Sequence, residues 1–466
     1  MTIVRLSLVA PIETRDGSLA KDSGMVNVYV DNNVTGAPEV VKRPGSVTLY
    51  SAGAATIGQG MVAFNGTACF IAGDNLYTVA SGFQVALPAP TVSNARLTTL
   101  DSVQSVSILK SKWNLWKMTG LTTLAKCVSA NYPTLTLPGI VYLDGYYYVL
   151  STTGALQNSS FEDPLTWDPL GFLMIDPGLG TAIALARHLN YVFAFCTNGT
   201  QAFYNAGNAS PGSPLSPAGN AVFSTGCAHA DSIINISGNT IFMTHSRQYG
   251  RGVAMFVGLS IEILSTPYVN KILNLSTLAS GISGMGIKVS GHSFYLLTLF
   301  DLNVTLCFDF DTRIWTTWAS SPDGTANNYF EGLFALPQSE TGAQNLFLNA
   351  AGNKVISMNP AYFDDSGLAI VAQITSPTMD NGMMDKKFCS ALYVVGDTVP
   401  ASTVAISYSD DDCQTYNSAR TVDMSTTRKM LRVLGSFRRR VWRLRHTAST
   451  SFRAQSLEVE VDKGSS

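Results

Sequence analysis

RHLNYVFAFCTNGTQAFY (187–204) holds a polar turn, an apolar run, a second turn and a second run. The runs are rich in Tyr, Phe and Val, and Asn-Gly sits in the second turn, so the unit reads as a β-hairpin. The same unit recurs as NGTACFIAGDNLYTVA (65–80), KSKWNLWKMTGLTTLAKCV (110–128) and DGYYYVLSTTGALQ (144–157). It returns as SGNTIFMTHSRQYGRGVAMFVG (237–258), SGHSFYLLTLFDLNVTLCFDF (290–310) and TGAQNLFLNAAGNKVISM (341–358). First turns near 66, 111, 145, 189, 238, 291 and 342 are spaced by 45, 34, 44, 49, 53 and 51 residues. Those gaps bracket the period of β-propeller blades, roughly 40–50 residues. A four-stranded blade cannot cover both of its faces alone, and radial stacking covers them. The sequence therefore predicts an all-β chain with a six- or seven-bladed propeller over 55–375. A long β-sandwich or two stacked barrels are the competing architectures.

Composition agrees. Charged residues are 13% of the 466-residue chain, about half the usual share, and Gly numbers 39. This excludes a disordered chain, a coiled coil and a small disulfide scaffold. Helical signal is confined to TPYVNKILNLSTLASGI (266–282), where one short helix is expected. GLGTAIALA (178–186) lacks the spacing of a phosphate loop and should open a strand. GNASPGSPLSPAGN (207–220) reads as a surface loop or protruding tip.

Beyond 375 the texture changes to five alternating segments, at 391–397, 403–410, 428–437, 439–447 and 454–461. They predict a C-terminal β-sandwich over 376–466 carrying a basic strand, with 1–54 left as an N-terminal arm and entry strands. Val441 and Leu444 are three apart in RRVWRLRH, so a bulge is expected there.

The net charge of −2 conceals a segregation. Residues 420–453 hold ten Lys/Arg and one acidic residue, a local +9; the rest of the chain holds 20 basic and 31 acidic residues, a balance of −11. Arg438, Arg439, Arg440, Arg443 and Arg445 are the candidate docking residues, because arginine pairs carboxylate and phosphate bidentately and stacks on aromatics. A nucleic-acid contact is the other reading; strand alternation divides these arginines between two faces, which favours docking to an acidic protein surface.

Ser409-Asp410-Asp411-Asp412-Cys413-Gln414-Thr415-Tyr416 resembles the Asp-box turn, with Cys413 at its usual glycine. Asp411, Thr415 and Tyr416 are expected to staple a hairpin. Three aspartates also offer hard oxygen ligands for Ca²⁺, but no full ligand loop surrounds them, and no metal is expected. His188, His229, His245, His292 and His446 are isolated, without zinc spacing. No nucleophile elbow or nucleotide loop is present, so neither catalytic residues nor a cofactor are expected. Cys69, Cys127, Cys196, Cys227, Cys307, Cys389 and Cys413 form no CxxC pair and read as reduced thiols of a protein matured in a reducing cytosol. The opening MTIVRLSLVAPIETRDG is too soon charged for a signal peptide, and no run of 18 apolar residues predicts a membrane span.

Motifs along the whole chain resemble the tail-hub, or nozzle, proteins of short-tailed bacteriophages, also called packaged-DNA stabilisation proteins. NVYV (27–30) with VKRPGSVTLY (41–50) is similar to that family's opening segment and Arg-Pro-Gly strand start. GMVAFNGTACFIAGDNLYTV (60–79) is similar to its first blade hairpin, and DPLTWDPLGF (163–172) to its acidic-Pro-aromatic loop. ALARHLNYVFAFCTNGTQAFYNAGN (184–208) and RRRVWRLRHTASTSFRAQSLEVEV (438–461) resemble a later strand pair and the closing basic strand. The resemblance implies a structural virion protein, six copies around the tail axis below the portal and adaptor proteins. It implies extension of the DNA channel, retention of packaged DNA with double-stranded DNA passing transiently, and contact with spike, fibre or needle proteins. It implies a place in the virion tail after assembly in the host bacterial cytoplasm, and no enzyme. A receptor- or glycan-binding propeller, glycosidase-like in the extreme, is the alternative; it would need several Asp-boxes where this chain has one.

Overall fold

The computed structural model describes residues 2–10, 24–32, 37–51, 57–64, 66–73, 75–79, 84–86, 97–100, 107–111, 114–121, 123–246, 250–321, 328–336, 345–382 and 385–464. The turn expected near 342 lies outside them, as do residue 65 beside the turn expected near 66 and residues 112–113 beside the turn expected near 111.

The predicted hairpins form, and their turns show why. Asp144-Gly145, Ser237-Gly238 and Ser290-Gly291 each place two successive residues at positive φ. That geometry matches the twist of the flanking strands, as in Leu143↔Tyr146, Ile236↔Asn239 and Val289↔His292. Leu189 takes positive φ without a glycine, in the turn closed by His188↔Tyr191.

Hairpins assemble into antiparallel blades. Blade 1 comprises Gly58–Phe64, Thr67–Ala72, Asn75–Thr78 and Gln84–Ala86; blade 2 comprises Leu97–Leu100, Ser107–Ser111, Asn114–Gly120 and Thr123–Lys126. Blade 3 comprises Val141–Leu143, Tyr146–Leu150, Ala155–Ser160 and Asp163–Met174; blade 4 comprises Ala182–His188, Tyr191–Cys196, Thr200–Asn205 and Leu215–Phe223. Blade 5 is built on Asn239–Ser246, Gly250–Val257 and Ser260–Ile263, with Gly226–Cys227 and Ile234–Ile236 sharing its inner edge. Among the described residues these five are free-standing sheets, so free-standing blades number fewer than the six or seven predicted. Two further four-stranded units occupy the ring but belong to larger sheets, because strands from the chain ends extend them. Unit 6 is Ile282–Val289, His292–Leu299, Val304–Asp309 and Trp315–Ser320; unit 7 is Phe334–Leu336, Asn345–Leu348 and Lys354–Asn359 completed by Gly45–Ser51. Pairing Lys354↔Ser51 through Asn359↔Gly45 closes the ring with a strand from the far end of the chain.

Apolar cores lie between neighbouring units all round the ring. Middle strands such as Tyr191–Cys196 and His292–Leu299 are therefore buried on both faces and read as continuous apolar runs. Between blades 4 and 5, Phe193 meets Phe256 edge-on at 4.7 Å and Phe242 stacks on Phe256 at 5.2 Å. Such pairs add about 0.5–1.5 kcal/mol each beyond burial. The single α-helix among the described residues, Pro267–Leu275, starts on the Thr266 cap and buries Val269, Ile272 and Leu273 between blade 5 and unit 6.

The sandwich is built from both chain ends. One sheet runs Val28–Asp31, Glu39–Lys42, Arg453–Lys463, Lys387–Gly396 and Met430–Arg432, with Thr2–Ser7 also on Arg453–Lys463 and Ser436–Phe437 on Lys387–Gly396. The other runs Gly24–Val26, Ala372–Thr375, Val441–His446, Thr403–Ser409 and Arg420–Asp423. It continues into unit 6 through the parallel pair Val26↔Thr317. Of residues 1–54, expected as an N-terminal arm and entry strands, the described strands are divided between sandwich and propeller, and Ala372–Thr375 pairs within the sandwich sheet.

Three local expectations are corrected. Val441–His446 pairs without a register shift to both neighbours; Trp442, Leu444 and His446 face the core, and Val441 is merely buried at the strand start. The 207–220 stretch is a loop only in its first half, because Leu215–Phe223 forms the outer strand of blade 4. An edge strand tolerates Pro217, and a register shift between Gln201 and Phe203 absorbs the irregularity. DPLTWDPLGF is likewise an outer strand and no loop, with shifted register between the pairs Gln157↔Phe172 and Ser159↔Trp167. GLGTAIALA does open a strand, Ala182–His188.

Candidate docking surface

Pro44 fixes φ after Arg43, and Gly45 lets the backbone pass close to Asp364, where a Cβ would lie 2.2 Å from the Asp364 carbonyl oxygen. This turn delivers Arg43 into the interior, fully buried. All five of its N–H groups are used. Nη2 and Nη1 reach Asp365 Oδ2 and Oδ1 at 2.6 and 3.1 Å. Nε donates to Asn27 Oδ1 at 2.9 Å, and the remaining two donate to the carbonyls of Ala319 and Pro44. Phe330 and Trp318 lie under the guanidinium at 5.1 and 5.8 Å. The two N-terminal motifs, Asn27 and Arg43-Pro44-Gly45, therefore meet in one hub tying unit 6, the closing strand and the sandwich entry together.

The predicted docking arginines do not act as one group. Arg440 is buried: it grips Asp410 through Nε and Nη2 at 2.7 and 2.8 Å, donates to the Leu434 carbonyl, and stacks on Tyr408 at 3.7 Å. It braces the sandwich from within and cannot meet a partner. Arg438 is exposed, and Arg439, Arg443 and Arg445 are half-buried. Arg439 lies 3.7 Å from Asp412. Arg443 stacks on Tyr416 at 3.6 Å and donates from Nε to Ser407 Oγ. Arg443 and Arg445 alternate with the core residues Trp442 and Leu444, so they lie on the outer face of the second sheet, between Gln373/Thr375 and Ala405/Ser407. Only alternation, read in the right register, could have separated them from Arg440.

Asp411 occupies the staple position. Its carboxylate accepts Ser409 Oγ and the Thr415 amide at 2.6 and 2.9 Å, along with the Thr415 hydroxyl. These hydrogen bonds hold its pKa down to about 2. Cys413 takes φ 67°, the conformation for which glycine is usual. Tyr416 sits under Arg443 rather than within the core.

Among the described residues, His292 with Asp309 and Asp311 is a group able to hold a cation. The protein already uses these atoms. His292 Nδ1 lies 2.9 Å from Asp309 Oδ2, which also accepts the Thr312 hydroxyl, while Asp311 Oδ2 accepts the Ser293 amide. The Asp309 hydrogen bond raises the His292 pKa. None of the seven cysteines forms a disulfide, and all are buried. Among the described residues, no helix is long and apolar enough to cross a membrane.

His446 provides a pH test of the sandwich. It stacks on Phe452 at 5.0 Å, with Nε2 3.0 Å from Ser402 Oγ. Burial, reinforced by Lys42, holds its pKa down to about 3. It stays neutral in the fold but takes a proton in the unfolded chain below about pH 6.5. Its contribution is therefore complete above that pH and is lost as pH falls toward 3. His446→Phe should flatten the fall of the urea midpoint between about pH 6.5 and 4. A slope equal to that of the unmodified chain would refute this.

Fold and surface together define the class: a β-propeller carrying a sandwich made from both chain ends, whose charged groups serve as struts and as an exposed face. A model of the family described as bacteriophage P22 Gp10, beta-propeller, matches residues 26–336, and the chain belongs to that family. The resemblance to tail-hub, DNA-stabilising proteins of short-tailed phages is thereby borne out. No curated protein matches. Solved structures similar to this chain include a catalytically inactive virginiamycin B lyase from Staphylococcus aureus with quinupristin, 9% identical, covering 77% of this chain and 99% of that one at TM-score 0.40. YCF48 from Cyanidioschyzon merolae is 12% identical over 68% of this chain and 99% of its own, TM-score 0.41. The extracellular domain of BT4673 from B. thetaiotaomicron is 9% identical over 87% of this chain and 58% of its own, TM-score 0.44. At these values nothing is carried over to this chain.

Proposed function

We propose that this chain is a structural part of the phage tail, a nozzle in which six copies surround the tail axis below the portal and adaptor proteins. The nozzle extends the DNA channel, helps retain the packaged genome and anchors spike, fibre or needle proteins. It is assembled in the host cytoplasm and has no enzymatic role. The observation that carries this reading is the family match across the propeller. Physics supports it in two ways. Inter-unit cores around a ring closed by a distant strand make a stiff body suited to a wall. Outside 420–453 the chain carries a balance of −11, which repels passing DNA, whereas many lysines and arginines along a channel would bind phosphate tightly.

In this reading the sandwich's arginine face docks on acidic protein. Reversing Arg438, Arg443 and Arg445 to Glu should lower incorporation into particles about tenfold or more. Arg440 is left out, because its loss would unfold the brace. Mass spectrometry of purified particles is the direct check on the function: absence of the chain would end the reading, and normal incorporation of the triple variant would end the docking role.

A further inference from the structure

We infer that the outer edge of blade 3 is the docking site for the arginine face of a neighbouring copy. The inference rests on the ring of copies proposed above and names which surfaces meet.

Blade 3 differs from the rest of the propeller in charge. From Cys127 to Ala186 the chain has five acidic residues and no Lys, Arg or His. Its outer strand, Asp163–Met174, follows the exposed Phe161-Glu162 corner and carries Asp168 half-buried. The same strand exposes Leu170, Phe172 and Met174 at 58%, 40% and 56%, at alternating positions. Among the described residues no strand pairs with its outer side. An open strand edge flanked by exposed aromatic, Met and acidic side chains has the composition of an interface core with a charged rim.

The complementary surface is the outer face of the second sandwich sheet, with Arg443 and Arg445, together with the exposed Arg438 three residues ahead of that sheet's strand Val441–His446. Arginine suits this edge twice over: its guanidinium pairs with carboxylates, and its stem and planar head pack on apolar and aromatic groups. One chain cannot bring the two surfaces together. The sandwich is continuous with unit 6, and blades 4 and 5 stand between unit 6 and blade 3 on one side. Unit 7 and blades 1 and 2 stand between them on the other. The cores on either side of blade 3 contain no sandwich residue, and the sandwich core contains none from blade 3. Complementary surfaces at opposite sides of one molecule make a head-to-tail contact, the kind that repeats and closes into a ring.

The test uses assembled particles. Phe172→Cys and Arg438→Cys are introduced together and singly, and purified particles are treated with a short bismaleimide. The native thiols are buried, so the double variant should give a ladder of linked chains, and neither single variant should. Particles that contain the chain but give no ladder overturn this contact while leaving the tail role standing. Particles that lack the chain overturn the tail role itself. Charge exchange checks the same contact. Glu162→Lys with Asp168→Lys should lower incorporation at least about tenfold, and so should Arg438→Glu with Arg445→Glu. All four changes in one chain restore the complementarity and should recover incorporation. If the arginine face met another protein instead, the arginine pair alone would fail and the combined chain would stay defective, and the inference would be wrong.

Discussion

Asp365→Ala is expected to lower the stability of the chain by about 3–5 kcal/mol, since it strands a buried arginine without its counter-charge. Arg43 is fully buried, and the Asp365 side chain is only 8% exposed. Two of the five donors on Arg43 would lose their acceptor, and Ser46 Oγ would lose a 3.0 Å partner. The loss falls where the ring closes, because Ser46 and Asp365 join the closing strand to the short pair Asp364–Asp365/Leu368–Ala369. Urea unfolding followed by tryptophan fluorescence suits the measurement, since Trp318 lies beside the guanidinium. Arg43→Met combined with Asp365→Leu should recover most of the loss, as apolar replacement of a buried pair often does. A single-variant loss below about 1 kcal/mol would show the pair to be a minor contact at the level of an exposed ion pair.

Gly139→Ala should cost about as much, by a different mechanism. Gly139 has φ +94°, and a Cβ there would lie 1.9 Å from the Leu185 carbonyl oxygen. The obstacle is backbone of blade 4's inner strand, fixed by the Leu185 amide bonding to the Pro138 carbonyl at 3.0 Å. It cannot swing aside as a side chain would. Backbone strain and overpacking each cost about 1–3 kcal/mol, so a loss of about 4 kcal/mol is expected. Gly291→Ala is the control: it shares a positive φ, +89°, but a Cβ there meets nothing within 4 Å. The difference between the two denaturation midpoints isolates the clash from the strain. Equal losses would mean that contact between the two inner strands carries no weight.

Much of the fold was legible. Ser237-Gly238 and Ser290-Gly291 are turn dipeptides whose φ values follow from local sterics, and the runs beside them are apolar because both blade faces are covered. The helix at Pro267–Leu275 carried its own Thr266 cap and apolar spacing. The docking site was less legible. Arg438 to Arg445 form one basic run in the sequence, yet strand register sends Arg440 inward onto Asp410 and Tyr408 and Arg443 outward onto Tyr416. The exposed edge of blade 3 gave no local sign at all, since Leu170, Phe172 and Met174 read as core until the outer position of their strand is known.

What the sequence by itself determined is local: where the chain turns, which runs are strands, and that neighbouring hairpins must cover one another. Those properties depend on φ preferences and on apolar side chains a few residues apart. The tertiary structure alone decided that Gly45–Ser51 closes the ring, that both chain ends share one sandwich, and that Asn27, Arg43 and Asp365 meet. Such contacts join positions more than 300 residues apart. No local pattern encodes them, because their free energy exists only once distant elements have displaced the water between them.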